Sequence, residues 1–476
     1  MSWIVSNTVE GQGVLITNKR TAPYPEVTGY TVPTLYQWGE KDLARQYVRW
    51  LVSIQNKDGS IPGPDGRPYT FDTGQVLRGF TAAWGDVPGI EGPTRKACDW
   101  ILSQVQSDGS MNTPTTDLWG KDADDRIHLY VLPPLREAGR LLGDPKYEEA
   151  VERVLEHYKK RDDLVSFNTL NHFVCYVLEA LHDLGERKLV VRGLEQILKF
   201  QTGRGSVPAY PHVRWVCSTG LAQLAVVCYK LGLRTRADLA LNYLLKIQNR
   251  SGGFFGSYGT GSSYFPDEEI SWAAKYFLDA LYWKVRTAFN FEAGLFSEII
   301  DPADGRAREV ASFFNDLRNG RLLDAGCGKG RFLRILAEHL PNAQLHGLDI
   351  SEQMLNSCPP NAKLKLGTLL DIRYPDGYFD GVLVVEALEH AIRVEKAVKE
   401  LARVLKRGGK ILIIDKNVDK MGALELEEWE QWFDPKRVLE FMLSVGIETS
   451  YEFIPHGTQV QPDGLFVAWK GEKKVG

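Results

Sequence analysis

The chain of 476 residues is long enough for two or three domains, each able to bury its own core. Its 43% hydrophobic and 25% charged residues are those of an ordinary globular protein. Lys and Arg number 57 against 61 Asp and Glu, a net charge of −4 with no long basic run, which argues against nucleic acid or an anionic membrane as partner. The opening stretch MSWIVSNTVEGQG lacks a charged segment followed by an apolar one, so no signal peptide is expected. No apolar run approaches the roughly 18 residues that span a bilayer. Cys98, Cys175, Cys217, Cys228, Cys327 and Cys358 are scattered without a CxxC pair, and read as buried thiols in a reducing compartment. The expected location is the cytoplasm.

From about residue 25 to 285, helical patterns alternate with turns rich in Gly and Pro. One class carries its charge on one face: KDLARQYVRWLVSIQ, TRKACDWILSQVQ, YEEAVERVLEHYKK, GLEQILKFQ and RADLALNYLLKIQ. The other is more apolar and richer in small residues: TGYTVPTLYQWG, DTGQVLRGFTAAW, RIHLYVLPPLREAG, TLNHFVCYVLEALHDLG, STGLAQLAVVCYKLG and EISWAAKYFLDALYW. A period of about 40 to 50 residues is that of a repeat array of helical hairpins. The stretch IQNKDGSIP at residues 54–62 returns as IQNRSGGFF at 247–255, and glycine turns also follow Gln106 and Gln201. Each such turn ends a charged helix and sends the chain toward an apolar one. Helices that are apolar around most of their circumference need burial, so they form an inner layer wrapped by an amphipathic outer layer.

This pattern resembles the α/α-toroid superfamily, which includes terpenoid cyclases, protein prenyltransferase subunits, polysaccharide lyases and glucuronyl epimerases. The resemblance covers most of residues 25–285 and implies an architecture more than a chemistry. In such toroids, ligands meet the amino-terminal ends of the inner helices. Those ends carry Tyr24, Glu26 and Tyr30, then Asp72, Gln75 and Arg78, then Asp124, Asp125, Arg126 and His128. Next come Asn168, Asn171 and His172, then Tyr210, His212, Arg214 and Trp215, and last Glu268, Glu269 and Trp272. Such a mixture suits a sugar, with polar partners for its hydroxyls and aromatic faces for its C–H surfaces. Asp and Asn at helix starts also act as caps, a role that does not extend to His172, His212, Arg214 or Tyr30.

Three alternatives stand for this region. Asn168, Asn171 and His172 with Tyr30 and Arg214 resemble the side-chain set of toroidal uronate lyases and epimerases, which implies proton removal from a sugar. Asp122-Ala123-Asp124-Asp125 resembles the DxDD acid of class II terpene cyclases, although those line their cavities with apolar groups and this rim is charged. A non-catalytic scaffold or oligomerisation module is the third.

Residues 321–330, RLLDAGCGKG, run from an apolar strand into a glycine-rich turn, and the helix RFLRILAEHL follows. This resembles the first motif of class I S-adenosylmethionine (AdoMet)-dependent methyltransferases, with Asp324 before Gly326, Gly328 and Gly330; the glycines allow close backbone approach to a ligand. QLHGLDIS ends its strand in Asp349, about 20 residues on, where the resemblance implies that the carboxylate accepts the ribose hydroxyls, with Ile350 beside it. KLKLGTLLDIRYPDGYFDGVLVVEALEH and ELARVLKRGGKILIIDKN continue the family order, and the match spans about residues 300–476. Where relatives carry Gly-Asp after the third strand, this chain has Gly367-Thr368, so Thr368 or Asp371 takes the adenine amino group and Leu369 meets the ring.

For the acceptor, Glu386, Glu389 and His390 follow the fourth strand, with His390 the candidate general base. Glu-x-x-Glu-His also resembles small O-methyltransferases in which the cluster holds a divalent ion, so the three side chains are metal-ligand candidates too. His456, before the Asp463-Gly464 turn, is a further catalytic candidate, and Asp415, Asn417, Trp429 and Trp432 are expected near the acceptor. The expected organisation is an all-α toroid over residues 1–290 followed by an α/β Rossmann-like class I methyltransferase with a seven-stranded sheet over 291–476. Its expected reaction is AdoMet-dependent O-methylation of a sugar hydroxyl, in a small molecule or glycan that the toroid binds or processes. The terpene-cyclase alternative above would instead make the methyl acceptor an isoprenoid product.

Overall fold

The computed structural model describes residues 1–112, 125–423, 425–455 and 463–475. His456, Asp122 and Asp124 lie outside the described residues. The chain divides into two compact units, one of residues 1–36 and 40–284, the other of residues 37–39 and 285–476. Among the described residues no helix is long and apolar enough to cross a membrane, and all six cysteines are free thiols.

The first unit is helical. Its elements are α1 (Ser2–Ser6), α2 (Pro25–Gln37), α3 (Lys41–Ile54), α4 (Thr70–Ala82), α5 (Glu91–Ser103), α6 (Leu132–Leu142), α7 (Lys146–Lys159), α8 (Asn171–Asp183), α9 (Arg187–Leu198), α10 (Ser218–Lys230), α11 (Arg234–Ile247) and α12 (Ser271–Glu292), whose residues from 285 on, Phe289 and Asn290 among them, belong to the second unit. A 3-10 turn, Asp125–Val131, leads into α6, and two-residue strands, Val216–Cys217 and Ser257–Tyr258, pair with each other. The two helix classes separate by burial as their sequences require. Every residue of α10 from Ser218 to Tyr229 is buried, whereas α7 buries one face through Tyr147, Ala150, Val151, Val154, Leu155 and Tyr158. The chain ends of the unit meet: Trp272 Nε1 of α12 donates to Glu26 Oε2 of α2 at 2.9 Å, and Thr34 Oγ1 donates to Asp279 Oδ1 at 2.7 Å.

The repeated glycine turns share one geometry. Gly59, Gly109, Gly205 and Gly252 have φ of 97°, 90°, 94° and 85°. In each turn the glycine N–H donates three residues back, to Asn56, Gln106, Thr202 or Asn249, at 2.9–3.0 Å. The left-handed φ explains the residue type, and packing adds a second reason. A Cβ on Gly59 would lie 2.1 Å from the Lys96 carbonyl of α5, and one on Gly205 would lie 1.8 Å from the Leu239 carbonyl of α11. The turn of one hairpin thus rests directly on the backbone of the next charged helix. Gln55 Nε2 clamps the same seam, donating to the carbonyls of Gly59 and Pro93 at 3.0 Å each.

The second unit is a seven-stranded sheet with helices on both faces. Its strands are β1 (Arg321–Ala325), β2 (Gln344–Asp349), β3 (Lys363–Leu366), β4 (Phe379–Val385), β5 (Leu405–Lys416), β6 (Ile447–Ile454) and β7 (Phe466–Lys473). Their order is β3-β2-β1-β4-β5-β7-β6, parallel except for β7, which runs antiparallel to both β5 and β6. The central strands β4 and β5 carry apolar runs, Val382–Val385 and Ile411–Ile414, because both faces are covered there. Val382, Val384, Ile411 and Ile413 enter one core, and Leu383, Val385, Leu412 and Ile414 enter the other. Helices α13 (Gly305–Phe313) and α14 (Arg331–His339) pack on one face, and α16 (Val394–Val404) and α17 (Pro435–Ser444) on the other; α15 (Glu352–Leu355) follows β2. The sheet order reverses between β1 and β4, and the crevice at the carboxyl ends of those strands is where an open α/β sheet takes its ligand.

Gly205→Ala adds both left-handed strain and a backbone overlap, so it should lower the unfolding free energy by about 1–3 kcal/mol or more in urea melts followed by circular dichroism. Gly66→Ala is the matched control. Gly66 has φ of 77° and nothing within 4 Å of its added Cβ, so only the strain applies and the loss should be smaller.

Candidate active site

The loop after β1 is shaped by three glycines with φ of 83° (Gly326), 51° (Gly328) and 77° (Gly330). A Cβ on Gly326 would lie 2.3 Å from that of Ala387, and one on Gly330 would lie 2.7 Å from Pro359, so the protein itself requires both. Gly328 differs, because a Cβ there would meet nothing within 4 Å. Its open space lies beside the Asp349 carboxylate, whose Oδ2 accepts the Gly328 N–H at 2.8 Å while Oδ1 accepts the Ser351 N–H at 2.8 Å. Asp324, on β1, is 1% exposed and its Oδ2 is buried without a hydrogen-bond partner. Burial, reinforced by the Asp349 carboxylate, pushes the Asp324 carboxyl up to about 7. Burial also raises Asp349, against the backbone donors that favour its charge.

Ile350 is half-buried next to Asp349. Ser351 Oγ donates to Asn290 Oδ1 at 2.7 Å, a contact that fixes the turn after β2. Beyond β3, Leu369 and Leu370 are 9% and 8% exposed. Thr368 Oγ1 accepts the Leu370 N–H at 2.8 Å, and Asp371 Oδ2 accepts from Arg373 Nε at 2.8 Å. The two residues expected to receive an adenine amino group therefore already carry partners: the Thr368 hydroxyl shapes its own turn, and the Asp371 carboxylate holds a guanidinium.

Glu386 follows β4 with φ of 50°, an unusual backbone for a residue with a Cβ, costing about 1–3 kcal/mol. Two arginines hold it there. Arg306 Nη1 of α13 donates to Glu386 Oε2 at 2.6 Å, and Arg331 Nη2 of α14 donates to the same oxygen. Glu389 makes a different set of contacts. It is 1% exposed, its Oε1 accepts from Lys416 Nζ at 2.8 Å, and its Oε2 is buried without a partner. Asp415 Oδ2 accepts the Glu389 N–H at 3.0 Å. Burial and the nearby Glu389 hold the Asp415 carboxyl well above the usual carboxylate range. His390 Nε2 lies 3.4 Å from Glu389 Oε1, its Nδ1 is buried without a partner, and its ring stands edge-on to Phe289 at 4.9 Å.

The metal expectation is corrected by this geometry. Glu386 is committed to two guanidinium groups while Glu389 pairs with Lys416, so Glu386, Glu389 and His390 do not form one ligand set. Among the described residues no group of three or more His, Cys, Asp or Glu side chains is arranged to hold a metal ion. Arg306, Arg331, Lys416 and Glu430 did not emerge from the sequence. Lys416 also reaches Glu430 Oε1 at 3.4 Å, and Trp432 Nε1 donates to that oxygen at 2.9 Å. The local signal for Arg306 is Asp304, which caps α13 through the Arg306 N–H and pairs with its guanidinium.

In the helical unit the structure brings some rim candidates together and separates others. Tyr24 Oη donates to Asp72 Oδ2 at 3.0 Å, and Trp272 meets Glu26. Tyr30 and His172 each lie near Tyr276, with ring centroids at 5.7 and 6.2 Å. Arg78 stacks on Tyr130 at 4.2 Å and donates to its carbonyl at 2.9 Å. Asn171 Nδ2 donates to the Pro208 carbonyl at 3.2 Å, and Asn168 Oδ1 accepts from Arg126 at 2.7 Å. Elsewhere, Asp125 is exposed and paired with Arg161, Glu268 accepts from Thr17, and His212 and Arg214 are exposed. His212 packs on Tyr210. These four do not join the buried group, so the set of Asn, His, Tyr and Arg drawn from the sequence does not assemble as expected around Arg214.

A methyltransferase domain family model matches residues 323–413, the segment from β1 into β5. The second unit is a class I AdoMet-dependent methyltransferase domain. Demethylmenaquinone methyltransferase from Thermus thermophilus is 29% identical over 151 residues, 30% of this chain and 67% of that protein. The tRNA (carboxymethyluridine(34)-5-O)-methyltransferase of Arabidopsis thaliana is 29% identical over 140 residues, 27% of this chain and 34% of that protein. Among solved structures, a SAM-dependent methyltransferase from Archaeoglobus fulgidus aligns with 39% of this chain and 99% of its own, at 19% identity and a TM-score of 0.33. The chain thus spans between a third and two-thirds of the length of these curated relatives. AdoMet fits the methyltransferase site on two counts, the unpartnered Asp324 oxygen and the open space at Gly328 beside Asp349.

Asp324 gives this site a pH signature. In an unfolded chain it titrates near 3.9 and in the fold near 7, so the folded state holds the extra proton between these values. Its contribution to stability is full below about pH 4 and disappears as pH rises through 7. Thermal midpoints measured across that range without AdoMet should fall less steeply for Asp324→Asn than for the unaltered protein.

Proposed function

We propose that this protein transfers the methyl group of AdoMet to a hydroxyl of a sugar, in the cytoplasm, with the helical unit acting as an α/α toroid that binds or processes the same carbohydrate. The observation that carries the transfer reading is the Asp349 carboxylate, fixed by two backbone N–H groups beside the open Gly328. When bound, AdoMet supplies an electrophilic methyl group on a sulfonium. The chain must hold an acceptor in line with it and remove the hydroxyl proton. Asp349 is placed for the ribose hydroxyls, Leu369 and Leu370 for the apolar adenine face, and Asp324 for a polar group near the glycine loop.

His390 is the group for the acceptor proton. Its Nδ1 is unpartnered, Glu389 lies beside its other nitrogen, and Phe289 holds the ring from the side. Lys416 in turn holds the Glu389 carboxylate in place. The acceptor reading draws on Trp432, Glu430 and Lys416, an aromatic face with charged neighbours of the kind a polyol uses. The meeting of α2 with α12 and the repeated hairpin seams support the toroid reading, and a boundary near residue 290 follows from it. The names of the relatives span a modified uridine and a quinone, so they select no acceptor.

Asp349→Ala should abolish AdoMet binding in calorimetry; unchanged affinity would sink the ribose assignment. His390→Ala should leave that binding intact and slow methyl transfer by about 10²–10⁴-fold, read as loss of a +14 product in sugar-containing extracts. Dialysis against EDTA should leave the rate unchanged, because Glu386 is held by guanidinium groups.

A further inference from the structure

Two carboxylates sit deep in the helical unit, and their partners are aromatic donors. Glu26 of α2 is 3% exposed and Asp72 of α4 is 4% exposed. Glu26 Oε2 accepts from the Trp272 indole at 2.9 Å, and Asp72 Oδ2 accepts from the Tyr24 phenol at 3.0 Å. The two donor rings stand edge to face with centroids 6.4 Å apart, and the charge of Asp72 bears on Glu26. Nearby cations are engaged with other acids. Lys275 Nζ is 2.7 Å from Asp279, and Lys230 Nζ is 3.1 Å from Glu179 and 2.8 Å from Asp183. Burial, with Asp72 next, raises Glu26 well above the usual carboxylate range, and burial pushes Asp72 up to about 7. Lys275 favours the charge on Glu26 only from within its own ion pair with Asp279; burying two carboxylates with so little compensation is unfavourable by several kcal/mol, and the fold alone gives no reason for it.

Aromatic rings surround this pair in a circuit that leaves α2 at Tyr24 and returns to it at Tyr30. Successive centroid distances are 6.4 Å to Trp272, 6.5 Å to Tyr264, 6.4 Å to His172, 4.4 Å to Tyr176, 6.1 Å to Tyr276 and 5.7 Å to Tyr30. His172 Nδ1 is 2.5 Å from Gln223 Oε1, and burial lowers the imidazole to about 3, so the ring stays neutral. Gln223 is fully buried, yet its Nε2 has no hydrogen-bond partner, and the Oδ1 of fully buried Asn171 has none either. Asn171 Oδ1 is packed against Gly220 of α10; buried amide atoms are almost always paired, so the Gln223 amide beside His172 is the orphan that calls for a polar guest.

We propose that this circuit bounds a binding site for a neutral polyhydroxylated ligand, an uncharged sugar whose hydroxyls donate to Glu26 and Asp72 and whose C–H faces lie on the tyrosine and tryptophan rings. The orphaned Gln223 amide donates to a sugar oxygen. Lys275 is already taken by Asp279, so the site offers an anion little to pair with and discriminates against uronates and phosphorylated sugars. This deepens the carbohydrate reading of the helical unit and rests on it, but it is independent of methyl transfer.

Saturation-transfer NMR on the full chain tests it, with the methyl glycosides of glucose, galactose, mannose and xylose as neutral probes and sodium glucuronate and farnesol as contrasts. At least one neutral glycoside should bind, and glucuronate should bind at least about tenfold more weakly, the scale of one lost charge-assisted contact. Glu26→Gln and Asp72→Asn should each weaken the glycoside and narrow the gap to glucuronate. Gly66→Ala, outside the circuit, controls for folding, together with an unchanged helical dichroism spectrum. Failure of all four glycosides to bind, glucuronate binding as tightly as they do, farnesol binding in their place, or well-folded acid variants that bind as before would each overturn the proposal. Intact AdoMet binding by the same samples separates such a failure from a failure of the methyltransferase reading.

Discussion

A carboxylate removed from water without a cation beside it is among the least tolerated groups in a protein interior. This chain keeps several, and they mark both of its candidate sites. In the methyltransferase domain Asp324 and Asp349 stand at the ends of adjacent parallel strands, whose register sets Asp324 against Gly347 and Ala325 against Leu348. Backbone N–H groups stabilise the charge on Asp349, whereas the second oxygen of Asp324 has no hydrogen-bond partner and only the more distant pull of Arg331. In the helical unit Glu26 and Asp72 are held by one indole and one phenol. The apolar cores around them are what make these acids unusual. The same Val, Leu and Ile packing that stabilises each unit excludes the water that would otherwise solvate the carboxylates.

The acids that are compensated do a different job. Glu386 has both a strained backbone and two arginines, so the attraction of the guanidinium groups offsets the left-handed φ. Arg306 comes from α13 and Arg331 from α14, and the carboxylate between them ties the helix ahead of the sheet to the helix that follows the glycine loop. Glu389 with Lys416 ties the turn after β4 to the end of β5. These pairs orient the walls of the cleft. The uncompensated acids are the ones with capacity left for a ligand.

How far the sequence could be read follows from the range of the interactions. The glycine loop and Asp349 are local consequences of apolar runs and turn glycines, so short motifs carry them. The charged and apolar helix classes are likewise local, and α3, α5, α7, α9 and α11 lie where the amphipathic segments stand. The partners of Glu386 could not be read in this way. Arg306 is 80 residues from it and Arg331 is 55, and nothing in a Glu-x-x-Glu-His run says whether its carboxylates face a metal, a lysine or an arginine. The rim positions failed for a related reason. Placement near a helix start fixes height along the helix, whereas rotation about its axis decides whether a side chain such as Glu26 turns inward or one such as Arg214 remains in solvent.

That rotation is settled by closure of the helical unit. The donor to Glu26 lies 246 residues away in the chain, Asp279 takes Thr34 across 245 residues, and Trp3 donates to Glu269 across 266 at 2.6 Å. The entropic penalty of closing so long a loop grows only slowly with length, but these contacts need every intervening hairpin in register. The glycine seams supply that register, because the turns at Gly59, Gly109 and Gly205 admit the next helix only at backbone contact. A repeat that carries no chemistry of its own therefore determines whether Tyr24, Glu26, Asp72 and Trp272 meet at all. Loosening one seam should act on that group at a distance, before any of its members is altered.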